Sequence, residues 1–428
     1  MERYREYKDS GEQWLGEIPS HWDFLYLRVL LKENSIQNSE GNVTSQLQFK
    51  YGSIIKKDNQ NVDSDVIDTI SKYTIVLPGD IVINGLNLNY DFVSQRIGQV
   101  EELGVITSAY ICLRPTNYAN RKYLLYLLKA MDGIKLFHGM GTGVRMTLSY
   151  KELKNKRLPV PPLSEQTAMV AYLDRVTVQI DKAIAQQQRM IDLLNERKQI
   201  IIQHAVTKGL DPNAEMVDSG VEWIGKIPKG WKLYKLKHLL QAPLKYGANE
   251  SASEYNETDP RYIRITDIDN EGNLKNNTVC TIPLHKALPY MLQKGDLLLA
   301  RSGATVGKSY LFQEDYKACY AGYLIKACFS KKISPQFVYL YTQSASYSKW
   351  KDYILIQSTI QNISAEKYAN LLIPTPPVEV QLSILKYLDP QLDKMNVTLA
   401  NFNRKIEVLR ERKQIIINEV VTGKVKVS

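Results

Sequence analysis

Apolar positions from Leu173 to Ala205 advance by alternating fours and threes, through Leu173, Thr177, Ile180, Ile184, Gln187, Ile191, Leu194, Lys198, Ile201 and Ala205. This is the heptad seam of a long helix. Adding 215 to each number gives Leu388, Leu392, Met395, Leu399, Phe402, Ile406, Leu409, Lys413, Ile416 and Val420, and the block from Glu196 to Ile202 recurs letter for letter from Glu411 to Ile417. One such stripe would suit an amphipathic helix lying on a globular core. Two at one offset, each read as four heptads without Gly or Pro, are better explained by a duplication whose helices pack against each other. The intervening segment of roughly 170 residues is enough for one compact domain with its ends close together, so the second helix runs back along the first. At about 1.5 Å per residue, some 40 residues make a rod of roughly 60 Å, a spacer holding two heads apart.

A second repeat surrounds the first. Residues 9–22, with Trp14 and Trp22, match residues 218–231, with Trp223 and Trp231, as lead-in segments whose tryptophans are expected to anchor a core. Short strand signals follow at 74–77, 80–83 and 108–113 in the first half and at 294–300 and 321–326 in the second. Helix signals come at 123–131 and 335–344, so the heads read as mixed α/β domains. Each head ends in a Pro-rich hinge, Leu158 to Leu163 and Ile373 to Val378, with Ser164 the expected N-cap of the first long helix. Gly and Pro after Thr207, and Gly423, stop the two helices. The fold class is therefore α/β (α+β): two mixed α/β heads separated by two long antiparallel coiled-coil helices, in a pseudo-twofold internal repeat. The boundaries fall at 1–158, 159–210, 211–373 and 374–428.

Composition narrows the function. At 428 residues with 44% hydrophobic residues the chain can bury several cores, and a net charge of +10 suits an acidic partner such as nucleic acid. Cys112, Cys280, Cys319 and Cys328 form no C-x-x-C pair and the five histidines are scattered, so reduced cysteines and no metal site are expected. The charged N-terminus and the lack of a long apolar run point to a cytoplasmic protein with no membrane association.

Candidate chemistry concentrates in loops. Arg301 to Ser309 resembles a phosphate loop, but Ser302 stands where the first glycine belongs. Its Arg301, Ser302, Thr305 and Lys308 suit DNA phosphates and base edges instead. At the corresponding place the first head carries Asn84, Asn87, Asn89, Gln95 and Arg96, amides that can pair bidentately with adenine. Lys50 and Tyr51, Arg145, Tyr246 and Asn249, and the run from Gln357 through Gln361 to Asn362 complete the candidates. The catalytic inventory is thin: Asp259-Pro-Arg-Tyr262 lacks the second proline of the amino-methyltransferase tetrapeptide, and no protease, hydrolase or dinucleotide motif appears. No catalytic residue is expected in this chain.

The duplicated layout, the Trp-Leu/Ile-Gly-x-Ile-Pro lead-ins, the Pro-x-Pro-Pro hinges followed by Gln166 and Gln381, and the Glu-Arg-Lys-Gln-Ile-Ile helix ends resemble specificity subunits of Type I restriction-modification systems. The resemblance spans essentially the whole chain. It implies a non-catalytic DNA-reading subunit with two target recognition domains on two conserved helical spacers. Each domain would read half of an asymmetric bipartite site in double-stranded DNA, with the helix pair setting the gap. It also implies two adenine-N6 methyltransferase partners holding S-adenosylmethionine, and translocase-nuclease partners using ATP and Mg in the full complex, with no cofactor on this chain. The competing reading is a coiled-coil scaffold joining two protein-binding heads. It would bind duplex DNA weakly and without salt dependence.

Overall fold

A glycine-aspartate turn launches the same strand in both halves of the chain. Gly79 and Gly295 sit at φ +94° and +92°, a region that favours glycine. The following aspartates close the turns: Asp80 accepts from the Leu77 amide at 3.0 Å and Asp296 from the Gln293 amide at 2.9 Å. Asp80 also holds Arg114 at 2.8 and 2.9 Å, and Asp296 faces Lys326 at 3.4 Å. The computed structural model describes residues 2–50, 52–57, 64–143, 146–269, 272–303, 305–356 and 361–427, with main chain only at Ser64 and Asn276.

In the first half, β1 (Leu31–Glu33), β2 (Ile81–Ile83), β3 (Ile97–Gln99) and β4 (Ile111–Pro115) form an antiparallel sheet in the order β1-β4-β2-β3. Helix α1 (Arg121–Gly133) follows, its first amides capped by the Asn120 side chain, and then the long helix α2 (Leu163–Lys208). The second half repeats this plan with β5 (Lys245–Tyr246), β6 (Leu297–Ala300), β7 (Ser309–Leu311) and β8 (Leu324–Ala327) in the order β5-β8-β6-β7. Helices α3 (Pro335–Thr342), α4 (Ala345–Ile356) and α5 (Val378–Val421) complete it. The mixed α/β heads and the internal repeat expected from sequence are therefore present. Outside the shared sheet the halves diverge: Thr74–Val76 pairs antiparallel with Gly104–Ile106, whereas Arg261–Ile263 pairs parallel with Ala318–Tyr320.

The chain divides into two compact units, Met1–Gln188 with Arg404–Ser428, and Arg189–Asn403. In the first, Trp22, Leu27, Ile81, Ile83, Tyr123 and Phe137 share a core with Leu173 of α2 and Val420 of α5, and Asp181 meets Lys413 at 2.7 Å. Numbers rise on one helix as they fall on the other, so this pairing is antiparallel. In the second unit Leu297, Phe337, Tyr341 and Trp350 share a core with Ala205 and Leu388, and Lys198 donates to Asn396 at 2.8 Å. That pairing is antiparallel too. The two cross-helix contacts are equivalent, since 181 and 198 become 396 and 413 on adding 215. Leu173, Thr177, Ile180, Ile191 and Ala205, and Leu388, Leu392, Met395, Ile406 and Val420, are buried as the heptad seam requires.

Three local expectations fail. Pro390 lies inside α5, so the second seam is not proline-free; the helix runs through it although Pro can give no amide to the ladder. Ser164 is not the N-cap of α2, because the helix already includes Leu163 and the Pro162 carbonyl accepts the first helical bond, from the Gln166 amide at 3.0 Å. Nor are the proline segments free hinges. Arg157–Val160 pairs with Asp23–Tyr26, and Leu372–Thr375 with Lys232–Lys235, both as two-stranded ribbons whose edges tolerate proline.

Candidate nucleic-acid interface

The equivalent strands β2 and β6 are each followed by the loop that leads to the sheet's edge strand, 84–96 in the first head and 301–308 in the second. Placement is shared and chemistry is not.

In the first head the loop is wound around a buried cation. Arg96 is 2% exposed, and its guanidinium donates to the carbonyls of Asn84 at 3.1 Å, Leu86 at 2.8 Å and Asp91 at 2.8 Å. Its own amide donates to Asp132, whose carboxyl burial pushes up in pKa. Asp91 accepts from the amides of Ser94 at 2.9 Å and Val93 at 3.1 Å, and these bonds, that from Ser94 foremost, hold its carboxyl down at about 2. The His138 ring meets the Asp91 carbonyl at 2.9 Å and stacks on Phe92 with centroids 4.7 Å apart. This scaffold turns Asn87, in the left-handed region at φ +51°, and Asn89 to solvent. Gln95 is also exposed, and its side chain lies over Gly52 in the turn of the hairpin Leu47–Lys50/Ser53–Lys56, beside the exposed Lys50.

In the second head the loop has two faces. Arg301 places its guanidinium carbon 4.9 Å from the Tyr246 ring centre, a cation–π contact. Among the described residues its Nε has no hydrogen-bond partner, nor does the buried Oδ1 of Asn362. Ser302 bridges to Asn362, the Arg301 amide donates to the carbonyl of Tyr323, which is 61% exposed, and Tyr246 Oη accepts from the Ala365 amide at 3.0 Å. Asn249 packs on Gly322, and Gln361 is exposed next to Asn362. Thr305 and Lys308 go elsewhere. They line a cavity of about 490 Å³ with Gln343, Lys349 and Lys351, while Lys308 Nζ donates to the Asp269 carbonyl at 3.4 Å.

The structure thus gathers Tyr246, Asn249, Arg301, Ser302 and Gln361 on one surface of the second head and separates Thr305 and Lys308 from them. In the first head it presents Asn87, Asn89 and Gln95, leaves Asn84 half-buried with its Oδ1 taken by the Leu86 amide, and withdraws Arg96. Arg96, expected as a DNA contact, is instead 2% exposed and tied to three carbonyls of its own loop, with its Nε unpartnered among the described residues, so burial makes it the post that holds the loop. Tyr51, Arg145 and Gln357 lie outside the described residues. Sequence reasoning passed over Tyr323, Lys349 and Lys351, which belong to neighbouring segments and become relevant only through tertiary contact. It also passed over Tyr90, Phe92 and Val93, whose exposure an apolar letter does not signal. Among the described residues no cluster of three His, Cys, Asp or Glu could hold a metal ion, and no helix is long and apolar enough to cross a membrane.

A frame present twice, with loops that differ at the same topological place, defines a class: a duplicated α/β fold whose two heads carry different surface chemistry at equivalent loops. Comparison with known proteins makes that specific. The family described as "Type I restriction modification DNA specificity domain" matches residues 50–188 and 228–410, and the chain belongs to it. It is 24% identical over its whole length to the Type I restriction enzyme MjaVIII specificity subunit of Methanocaldococcus jannaschii, covering 98% of that protein. It is 26% identical over 60% of its length to the EcoBI specificity subunit of Escherichia coli, covering 57% of that protein. A solved structure described as the basis of complex assembly and conformational transition of the type I R-M system aligns with 95% of this chain and 99% of its own, at TM-score 0.63 and 16% identity. That likeness concerns the fold.

Proposed function

We propose that this chain is the non-catalytic DNA-sequence-recognition subunit of a Type I restriction-modification complex, each head reading one half of an asymmetric bipartite site. The observation that carries the reading is the pair of equivalent loops on matching sheets. Residues 84–96 offer amides, which pair with adenine edges, and residues 301–308 with Tyr246 offer a guanidinium, which pairs with guanine O6 and N7. Family membership and the net charge of +10 support the same partner. In this proposal residues 1–158 and 211–373 are the recognition domains and residues 159–210 and 374–428 the helical spacers. The helix pair sets the gap between half-sites and docks two methyltransferase subunits that hold S-adenosylmethionine. Translocase-nuclease subunits would bring ATP and Mg, and the assembly would work in the cytoplasm.

A duplex selected from a random pool by the full chain, titrated across salt, tests this directly. A reader neutralising 6–10 phosphates should lose about 10³–10⁵ in affinity between roughly 50 and 200 mM salt. Weak, salt-insensitive binding with no selected sequence would refute it and favour the scaffold with two protein-binding heads.

A further inference from the structure

We propose that Tyr90, Phe92 and Val93 form an apolar wedge that enters the duplex at a single base step in the half-site of the first head. The inference rests on the DNA-reading function above and adds a mode of contact to it. Tyr90 is 77% exposed, Phe92 56% and Val93 90%. Three large apolar side chains within four residues, all facing water, mark a surface that a partner covers.

The backbone beneath them is fixed. Arg96 ties three carbonyls of the loop from inside, Asp91 takes the amides of Val93 and Ser94, and His138 braces both the Asp91 carbonyl and the Phe92 ring. A loop so held cannot fold its apolar tip back against the core. It is pre-organised to insert, and insertion between base steps is how apolar side chains unstack and kink DNA. What surrounds the tip fits a duplex better than a protein groove. Asn87, Asn89 and Gln95 flank it with amide donors and acceptors, and Gln95 rests on the hairpin turn that carries the exposed Lys50, a cation for the adjacent phosphate. Among the described residues of the equivalent loop in the second head, Arg301, Ser302, Thr305 and Lys308 are joined by one large apolar side chain, the partly buried Val306, and the exposed Tyr323 beside Arg301 comes from a different segment. The distortion should therefore fall on one half-site.

The test uses the full chain by itself, so that no methyltransferase can flip a base, and a duplex that this chain selects from a random pool. 2-Aminopurine is placed at each purine in turn and its emission is read with wild type and with the Tyr90→Ala/Val93→Ala double variant. These two side chains are the most exposed of the three, so folding is spared. Wild type should raise the emission at one step in one half-site only. The double variant should abolish that rise and weaken binding about ten-fold, the size of one lost stacking contact, while the other half-site stays selected. Specific binding with flat emission at every position would overturn the wedge and leave the DNA-reading function standing. Failure of wild type to select any duplex would overturn that function, and the wedge with it. A double variant that keeps both affinity and emission but no longer co-purifies with the methyltransferase subunit would show the tip to be a protein-docking surface, against the proposal.

Discussion

The side-chain oxygen of Gln166 accepts a hydrogen bond from the Asn120 amide at 2.7 Å while its nitrogen donates to the Pro161 carbonyl at 2.7 Å. One residue thus fastens the cap of α1 to the turn that starts α2. Gln381 repeats the clamp, accepting from the Ser334 amide at 2.8 Å and donating to the Pro376 carbonyl at 2.8 Å and the Lys332 carbonyl at 3.2 Å. Both glutamines are almost wholly buried, so the duplicated Pro-x-Pro-Pro segment and its glutamine form one device that joins a head to a long helix.

Replacing Gln166 by Leu should strand the Asn120 amide and the Pro161 carbonyl, at a cost of about 2–6 kcal/mol since each buried unpaired group costs about 1–3. Urea unfolding with hydrogen exchange at the first turn of α1 would measure it, and Gln381→Leu should do the same at the start of α3. Unchanged stability and exchange in both variants would show that the heads are held to the helices by other contacts.

The depressed carboxyl of Asp91 gives the loop an acid limit. A folded value of about 2, below the ordinary aspartate value, means that the bonds to Val93 and Ser94 stabilise the loop at any pH above about 4. That contribution is lost progressively as pH falls from about 4 through about 2. The Val93 and Ser94 amide resonances should therefore titrate with a midpoint near 2. A midpoint near 4 would mean that these bonds do not hold the carboxylate.

Arg301 and Lys308 were equivalent candidates in the sequence but occupy different faces of their loop. If Arg301, stacked on Tyr246, reads a base, Arg301→Ala should cost about 1–3 kcal/mol on the selected site and relax preference at one position. Lys308→Ala should lower affinity for all duplexes alike and reduce the salt slope by about one. Equal, sequence-independent losses in the two variants would remove Arg301 from the reading surface.

Much of the fold was legible because its signals are periodic. The seam from Leu173 to Ala205 and its copy at 388–420 announce two long helices, and the strand runs after Gly79 and Gly295 announce the shared sheet. The pairing of Arg157–Val160 with Asp23–Tyr26 and of Leu372–Thr375 with Lys232–Lys235, each far apart in sequence, was not legible, which is why the proline segments looked like hinges rather than ribbon edges. Loop residues were recognised by chemistry alone, and chemistry does not report burial. Arg96 looks like any surface arginine until the carbonyls of residues 84, 86 and 91 close around it.

The proposed role of the helix pair as a ruler predicts the effect of lengthening it. Inserting one matched heptad after Gln188 and after Asn403 keeps the seam in phase while adding about 10 Å, close to three base pairs of rise. Three base pairs also turn the duplex by about 100°, which the helices do not follow. The original site should be lost, and a site with a gap three longer should be recovered poorly or not at all. A lengthened chain that is folded and still selects the original site at wild-type affinity would exclude the ruler.

The central claim is that two heads with one frame and different loops read different half-sites. Sequencing the modified adenines across the host genome tests it in one measurement. The loops at 84–96 and 301–308 predict an asymmetric bipartite site whose halves differ, separated by a degenerate gap near six base pairs if the heads occupy successive major grooves about 10–10.5 base pairs apart. A single palindromic site with identical halves would contradict it.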